Sequence, residues 1–146
     1  MSKRKRSIVD IREFSETFVS KEKHSEKISR NKFYLSDNNR SVRVFKQIET
    51  GKVIEIVCVS LEILIDKKWK TITYYDNIHG YLHRHERVSL SDESETIVVL
   101  GVRQKGSTRR LLRWAIKDIT INYASYKKRF LKRSNYTKLE IWENMY

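Results

Sequence analysis

The chain has 146 residues, 39% of them hydrophobic and 11% aromatic, and a formal net charge of +13. That length and apolar content suit one folded domain with its own core and argue against a disordered chain. There is one cysteine, no stretch nears the roughly 20 apolar residues of a membrane span, and no apolar stretch follows the basic start Met1-Ser2-Lys3-Arg4-Lys5-Arg6. An internal disulfide is therefore excluded, and a soluble protein of the reducing cytoplasm, with no membrane partner, is expected.

Residues 1–34 carry 10 basic and 5 acidic side chains. Within them Ile8, Ile11, Phe14 and Phe18 are spaced by three, three and four, which predicts one face of a short helix. The polar residues 20–32 read as a connector. Residues 1–32 are thus expected to form a basic arm, partly helical or mobile, ahead of a single domain over 33–146.

From residue 41 the pattern has period two. Residues 41–48 alternate, Glu49-Thr50-Gly51 supplies a turn, and 52–65 is β-branched enough for a central strand. Cys58 lies in that run and reads as a small buried hydrophobe. Asp66-Lys67-Lys68 is a second turn, and Trp69 to Tyr75 alternate as a third strand. A fourth strand places Tyr81, His83 and His85 on one face and Leu82, Arg84 and Glu86 on the other. Residues 89–95 form an acidic loop and 96–102 a fifth strand.

The period then becomes helical. Ser107 or Thr108 serves as N-cap, and Leu112, Ala115, Ile116, Ile119, Tyr123, Tyr126 and Phe130 form an apolar stripe ending near 133. Leu139, Ile141, Trp142 and Tyr146 are expected to dock as a final short strand or turn. The predicted fold class is α+β: an antiparallel sheet of about five strands packed on a long basic C-terminal helix.

Residues 35–102 hold 9 basic and 10 acidic side chains, 103–133 hold 11 and 1, and 134–146 hold 1 and 2. The excess therefore sits in the helix and the arm, as expected of a protein that binds RNA or single-stranded DNA. Arg109, Arg110, Arg113, Lys117, Lys127, Lys128, Arg129, Lys132 and Arg133 are the candidate phosphate contacts. An acidic partner protein masking the same face is the alternative.

Chemistry is concentrated between Tyr75 and Glu86, where three of the four histidines occur. Histidine titrates near neutrality, so the cluster suggests proton transfer or metal ligation. In the first reading His83 and His85 are an acid–base pair for RNA cleavage, with His79 as an alternative member. Arg84 then stabilises phosphate charge and Asp76 orients a histidine. Tyr75, Tyr81 and Trp69 offer faces for bases to stack on. No cofactor is needed for this chemistry. In the second reading His79, His83 and His85 hold a zinc ion, with Asp76 or Glu86 as fourth ligand or base. In the third, the histidines are strand residues hydrogen-bonded to their neighbours, and the protein binds nucleic acid or a partner without catalysis.

Tyr75-Asp76-Asn77, His79-Gly80 and His83-Arg84-His85 resemble the YDN…HG…HRH core of the TumE-type toxins of toxin–antitoxin modules. The resemblance spans about half of the chain. It implies a toxin-like ribonuclease, neutralised by an antitoxin protein, with site residues Tyr75, Asp76, His79, His83, Arg84 and His85. The basic arm and the strongly basic helix depart from that family's pattern.

Overall fold

The computed structural model describes residues 25–98, Leu100 and residues 106–146. Six strands follow one another as an antiparallel meander: β1 (Lys27–Ser36), β2 (Asn39–Gln47), β3 (Val53–Ile65), β4 (Lys68–Asp76), β5 (His83–Arg87) and β6 (Glu95–Val98). A long helix, α1 (Thr108–Arg133), packs on one face, and a short helix, α2 (Lys138–Asn144), closes the chain. The α+β class and the long helix are as the sequence predicts. The expected helix around Ile8–Phe18 and the end of the 96–102 strand lie outside the described residues.

Local chemistry accounts for the elements. Asp66 and Lys67 both have positive φ (51° and 64°), giving the two-residue turn whose twist matches the β3–β4 hairpin. The Ser107 hydroxyl accepts the Arg110 amide at 3.2 Å and caps α1, while Lys132 and Arg133 complement its C-terminal dipole. Leu112, Ala115, Ile119, Phe130 and Leu131 of α1 meet Ile56, Val59, Leu61, Ile63 and Ile65 of β3 in the core. The central position of β3 explains its near-continuous apolar run.

Two segments differ from expectation. Residues 27–32, expected within the connector, are the first half of β1, an edge strand paired with β2 through its backbone. Its side chains are almost all exposed, so no apolar alternation betrays it. The chain end is a helix rather than a strand, because Thr137 and Glu140 form a reciprocal capping box. Of the four apolar residues expected to dock there, only Ile141 is buried.

Lys127 was expected on the phosphate-binding face, yet it is fully buried, and its Nζ donates to the Met145 carbonyl at 3.2 Å. It thereby satisfies an orphan carbonyl at the end of α2. Burial pushes its pKa down to about 8. A folded-state value below the unfolded one means the folded chain releases this proton first. The stabilising contribution of wild type over Lys127→Met should therefore grow as pH rises through 8, read from urea midpoints at several pH values. A gap independent of pH would show that Lys127 is not held in this environment.

Candidate functional site

The sheet has two chemically different faces at its β4–β5 end. Thr73 and Tyr75 of β4, with Arg84 and Glu86 of β5, point toward α1. Asp76, His83 and His85 point to the other side, as antiparallel pairing of Asp76 with His83 and Tyr74 with His85 requires.

The α1 side is a closed polar network. Glu86 accepts from Arg84 at 3.1 Å, from Arg129 at 2.7 Å and from Arg133 at 3.2 Å. Burial works to raise the Glu86 pKa, but the hydrogen bonds from Arg129 and Arg84 outweigh it and hold the carboxyl below the usual range. Arg84 also donates to Thr73 at 3.0 Å and lies over the Tyr126 ring. The Tyr75 and Tyr126 hydroxyls both donate to Asp118, at 2.7 and 2.6 Å. Three residues proposed for the histidine site are therefore committed elsewhere. Arg84 and Glu86 sit on the opposite face from the histidines, and Tyr75 is buried in the core, closed to a stacking base.

The other side holds the histidine–carboxylate centre. The Asp76 carboxylate lies 3.4 Å (Oδ1) from His83 Nε2 and 3.0 Å (Oδ2) from His85 Nε2. The second contact is short but too bent for a hydrogen bond, so His85 Nε2 is a buried polar atom without a partner. His83 Nδ1 faces the Tyr81 carbonyl at 3.2 Å, and His85 Nδ1 faces Glu95 Oε1 at 3.5 Å. The Tyr74 ring stacks on His85 with centroids 4.5 Å apart, and its hydroxyl donates to Glu95 at 3.1 Å. Burial and the Glu95 carboxylate push the Tyr74 pKa up to about 12, which keeps it a donor at neutral pH.

His79 stands at the rim. Gly80, with φ of 89°, closes the turn through its amide on the Asn77 carbonyl at 2.9 Å. The Asp76 side chain accepts the Ile78 amide at 3.3 Å, so the same carboxylate braces turn and centre. The turn leaves His79 exposed with its ring 5.9 Å from that of His83. The Tyr81 ring, 60% exposed, lies 5.2 Å from His83. The metal-capable triplet is thus Asp76, His83 and His85, with His79 outside it. Sequence reasoning missed Glu95 and Tyr74, which reach the centre only through strand pairing.

The basic residues are split. Arg109, Arg110, Arg113, Lys117, Lys128, Arg129, Lys132 and Arg133 are exposed on α1, on the other side of the sheet from the centre. Arg109 also ties α1 to the β2–β3 turn by donating to the Gly51 carbonyl at 2.6 Å. Trp114 and Lys117 line a shallow cavity beside Asp118. Trp69, expected as a stacking platform, lies under the Arg40 guanidinium at 4.1 Å. Cys58 is half-buried, and burial pushes its thiol up to about 11, which leaves it inert as a nucleophile.

No helix among the described residues is long and apolar enough to cross a membrane. The chain belongs to the family described as Domain of unknown function (DUF7718), whose model matches residues 21–136. That family is not the TumE-type one which the 75–85 motif resembles, and its description assigns no activity. No curated protein and no solved structure matches the chain.

Proposed function

We propose that the protein is a nucleic-acid-directed ribonuclease whose chemistry takes place at the β4–β5 turn. The observation that carries this reading is the pairing of an exposed histidine, His79, with a buried centre of two imidazoles on one carboxylate directly behind it. His79 takes the proton of a ribose 2′-hydroxyl as the 2′-oxygen attacks phosphorus. The proton that His79 has taken up is then returned, through solvent, to the leaving 5′-oxygen. The products are a 2′,3′-cyclic phosphate and a 5′-hydroxyl end. Such cleavage needs a positioned acid, a base and positive charge near the phosphate. Tyr81 offers a ring at the rim on which a base stacks. A toxin role, with an antitoxin as partner, belongs to this same proposal and rests on the motif at 75–85.

His83 and His85 fit the role of a fixed group behind His79 better than that of freely accessible acid and base. Both Nε2 atoms face Asp76 and both Nδ1 atoms face oxygen acceptors, so His79 is left to exchange protons with substrate.

The exposed row of α1 supplies affinity rather than chemistry. Each phosphate contact on a single strand adds about 0.7 to the slope of log affinity against log salt. Lys117→Ala and Lys128→Ala should each lower the slope by about that amount, while Lys127→Ala, being buried, should leave it unchanged. Filter binding of a labelled RNA across a salt series reads this directly. A slope insensitive to Lys117 and Lys128 would move the nucleic-acid surface off α1. Incubation with RNA followed by analysis of the ends tests the chemistry, and intact RNA would overturn it.

A further inference from the structure

We propose that Asp76, His83 and His85 form a binding site for a divalent transition-metal ion of the zinc class. The proposal deepens the functional reading above, but the binding itself does not depend on RNA cleavage.

His83 Nδ1 faces the Tyr81 carbonyl, and His85 Nδ1 faces the Glu95 carboxylate. Both oxygens are acceptors only, and in the tautomer that turns an Nδ1 hydrogen toward them each Nε2 keeps a lone pair. Both Nε2 atoms then present lone pairs, and both point at the Asp76 carboxylate, which also has only lone pairs to offer. Three acceptors converging in a buried place repel one another unless a cation lies between them. A shared proton serves this poorly, because neither Nε2–carboxylate contact has hydrogen-bond geometry, and His85 Nε2 remains unpartnered.

The distances suit a metal ion. Ligands at about 2.0–2.2 Å from one ion in tetrahedral or octahedral geometry lie about 3.0–3.5 Å from each other. The two nitrogen–oxygen separations are 3.4 and 3.0 Å, and all three donor atoms fall within 4.8 Å of one another. The outer contacts have the form that metal-binding histidines show: the far nitrogen held by a carbonyl or a carboxylate, fixing tautomer and ring orientation. Glu95 is itself oriented by the Tyr74 hydroxyl, and Tyr74 stacks on the His85 ring. Two imidazoles and one carboxylate select zinc, iron(II), cobalt or nickel over magnesium or calcium, which prefer oxygen donors. Three protein ligands leave coordination positions open. An ion there supplies the positive charge the proposed chemistry needs.

The test uses the full chain, stripped with chelator and dialysed, then titrated calorimetrically with zinc and separately with magnesium. Zinc should bind at one equivalent and magnesium should not. Cobalt(II) should give a visible absorption spectrum of a nitrogen- and oxygen-ligated ion. His85→Ala should weaken zinc binding by at least ~100-fold. Glu95→Gln, outside the ligand set and partly exposed, should weaken it about 10- to 100-fold with an unchanged melting temperature, the range expected for an outer-shell partner. His79→Ala should leave affinity intact. If zinc fails to bind stoichiometrically, or binds His85→Ala and Glu95→Gln as tightly as wild type, the site is refuted. One-to-one zinc binding with intact RNA overturns the ribonuclease and leaves the metal site standing. RNA cleavage that persists in chelator, with no zinc titration, does the reverse.

Discussion

His79→Ala should lower RNA cleavage by about a hundred- to ten-thousand-fold, the usual loss when one general acid or base is removed. The side chain is exposed and lies on a turn braced by Asp76 and Gly80, so its removal leaves no cavity and no orphaned buried group. The melting temperature and the affinity for uncleaved RNA should therefore match wild type, and the effect should appear in the rate of chemistry alone. His83→Ala and Asp76→Ala should also abolish cleavage, but each empties a buried position. His79→Ala is thus the cleaner measurement. Single-turnover cleavage of a labelled oligonucleotide, with binding measured in parallel, checks it. A His79→Ala rate within about threefold of wild type would remove His79 from the chemistry and return attention to His83 and His85.

The parity of β5 is legible in the sequence, because a strand alternates. Within β5, His83 and His85 lie on one face and Arg84 and Glu86 on the other, and the pairing from Thr73↔Glu86 to Asp76↔His83 contains no bulge to disturb it; Tyr81 precedes the strand. The apolar stripe of α1 was equally legible, since Leu112, Ala115, Ile119 and Phe130 of that stripe are buried. What lay out of reach depended on partners distant in sequence. Glu95 meets His85 only because β6 pairs with β5, and no spacing along the chain announces it. The β3–β4 pairing shifts register near Leu61, so simple alternation from Trp69 does not carry through Ile72, which is buried beside Thr73. Lys127 was counted with its charged neighbours because composition cannot see the Met145 carbonyl it serves. β1 was missed because an exposed edge strand held by backbone bonds carries no burial pattern.

Glu86→Ala should destabilise the fold by about 3–5 kcal/mol, the cost of removing one partner from a buried ion pair. The reason lies in what remains. Arg84, 6% exposed, keeps its hydrogen bond to Thr73 and its place over Tyr126 but loses the carboxylate it pairs with. Arg129 and Arg133 are more exposed and turn to water at little cost, so the penalty comes chiefly from Arg84. Two further results follow from the same geometry. Replacing both groups, Glu86→Ala with Arg84→Met, should recover much of the loss, because no buried charge is then left unpaired. The Glu86 contribution should also depend on acid. Its folded-state pKa lies below the usual carboxylate value, so its stabilisation is fully present above that value and is lost as pH falls through the folded one. Urea denaturation of the single and double variants, at neutral pH and near pH 4, measures all three effects. A Glu86→Ala loss below about 1 kcal/mol, or a double variant no more stable than the single, would mean that Arg84 is not held as a buried cation. The network would then be a surface feature worth little, and β5 would have to be anchored to α1 by its apolar contacts alone.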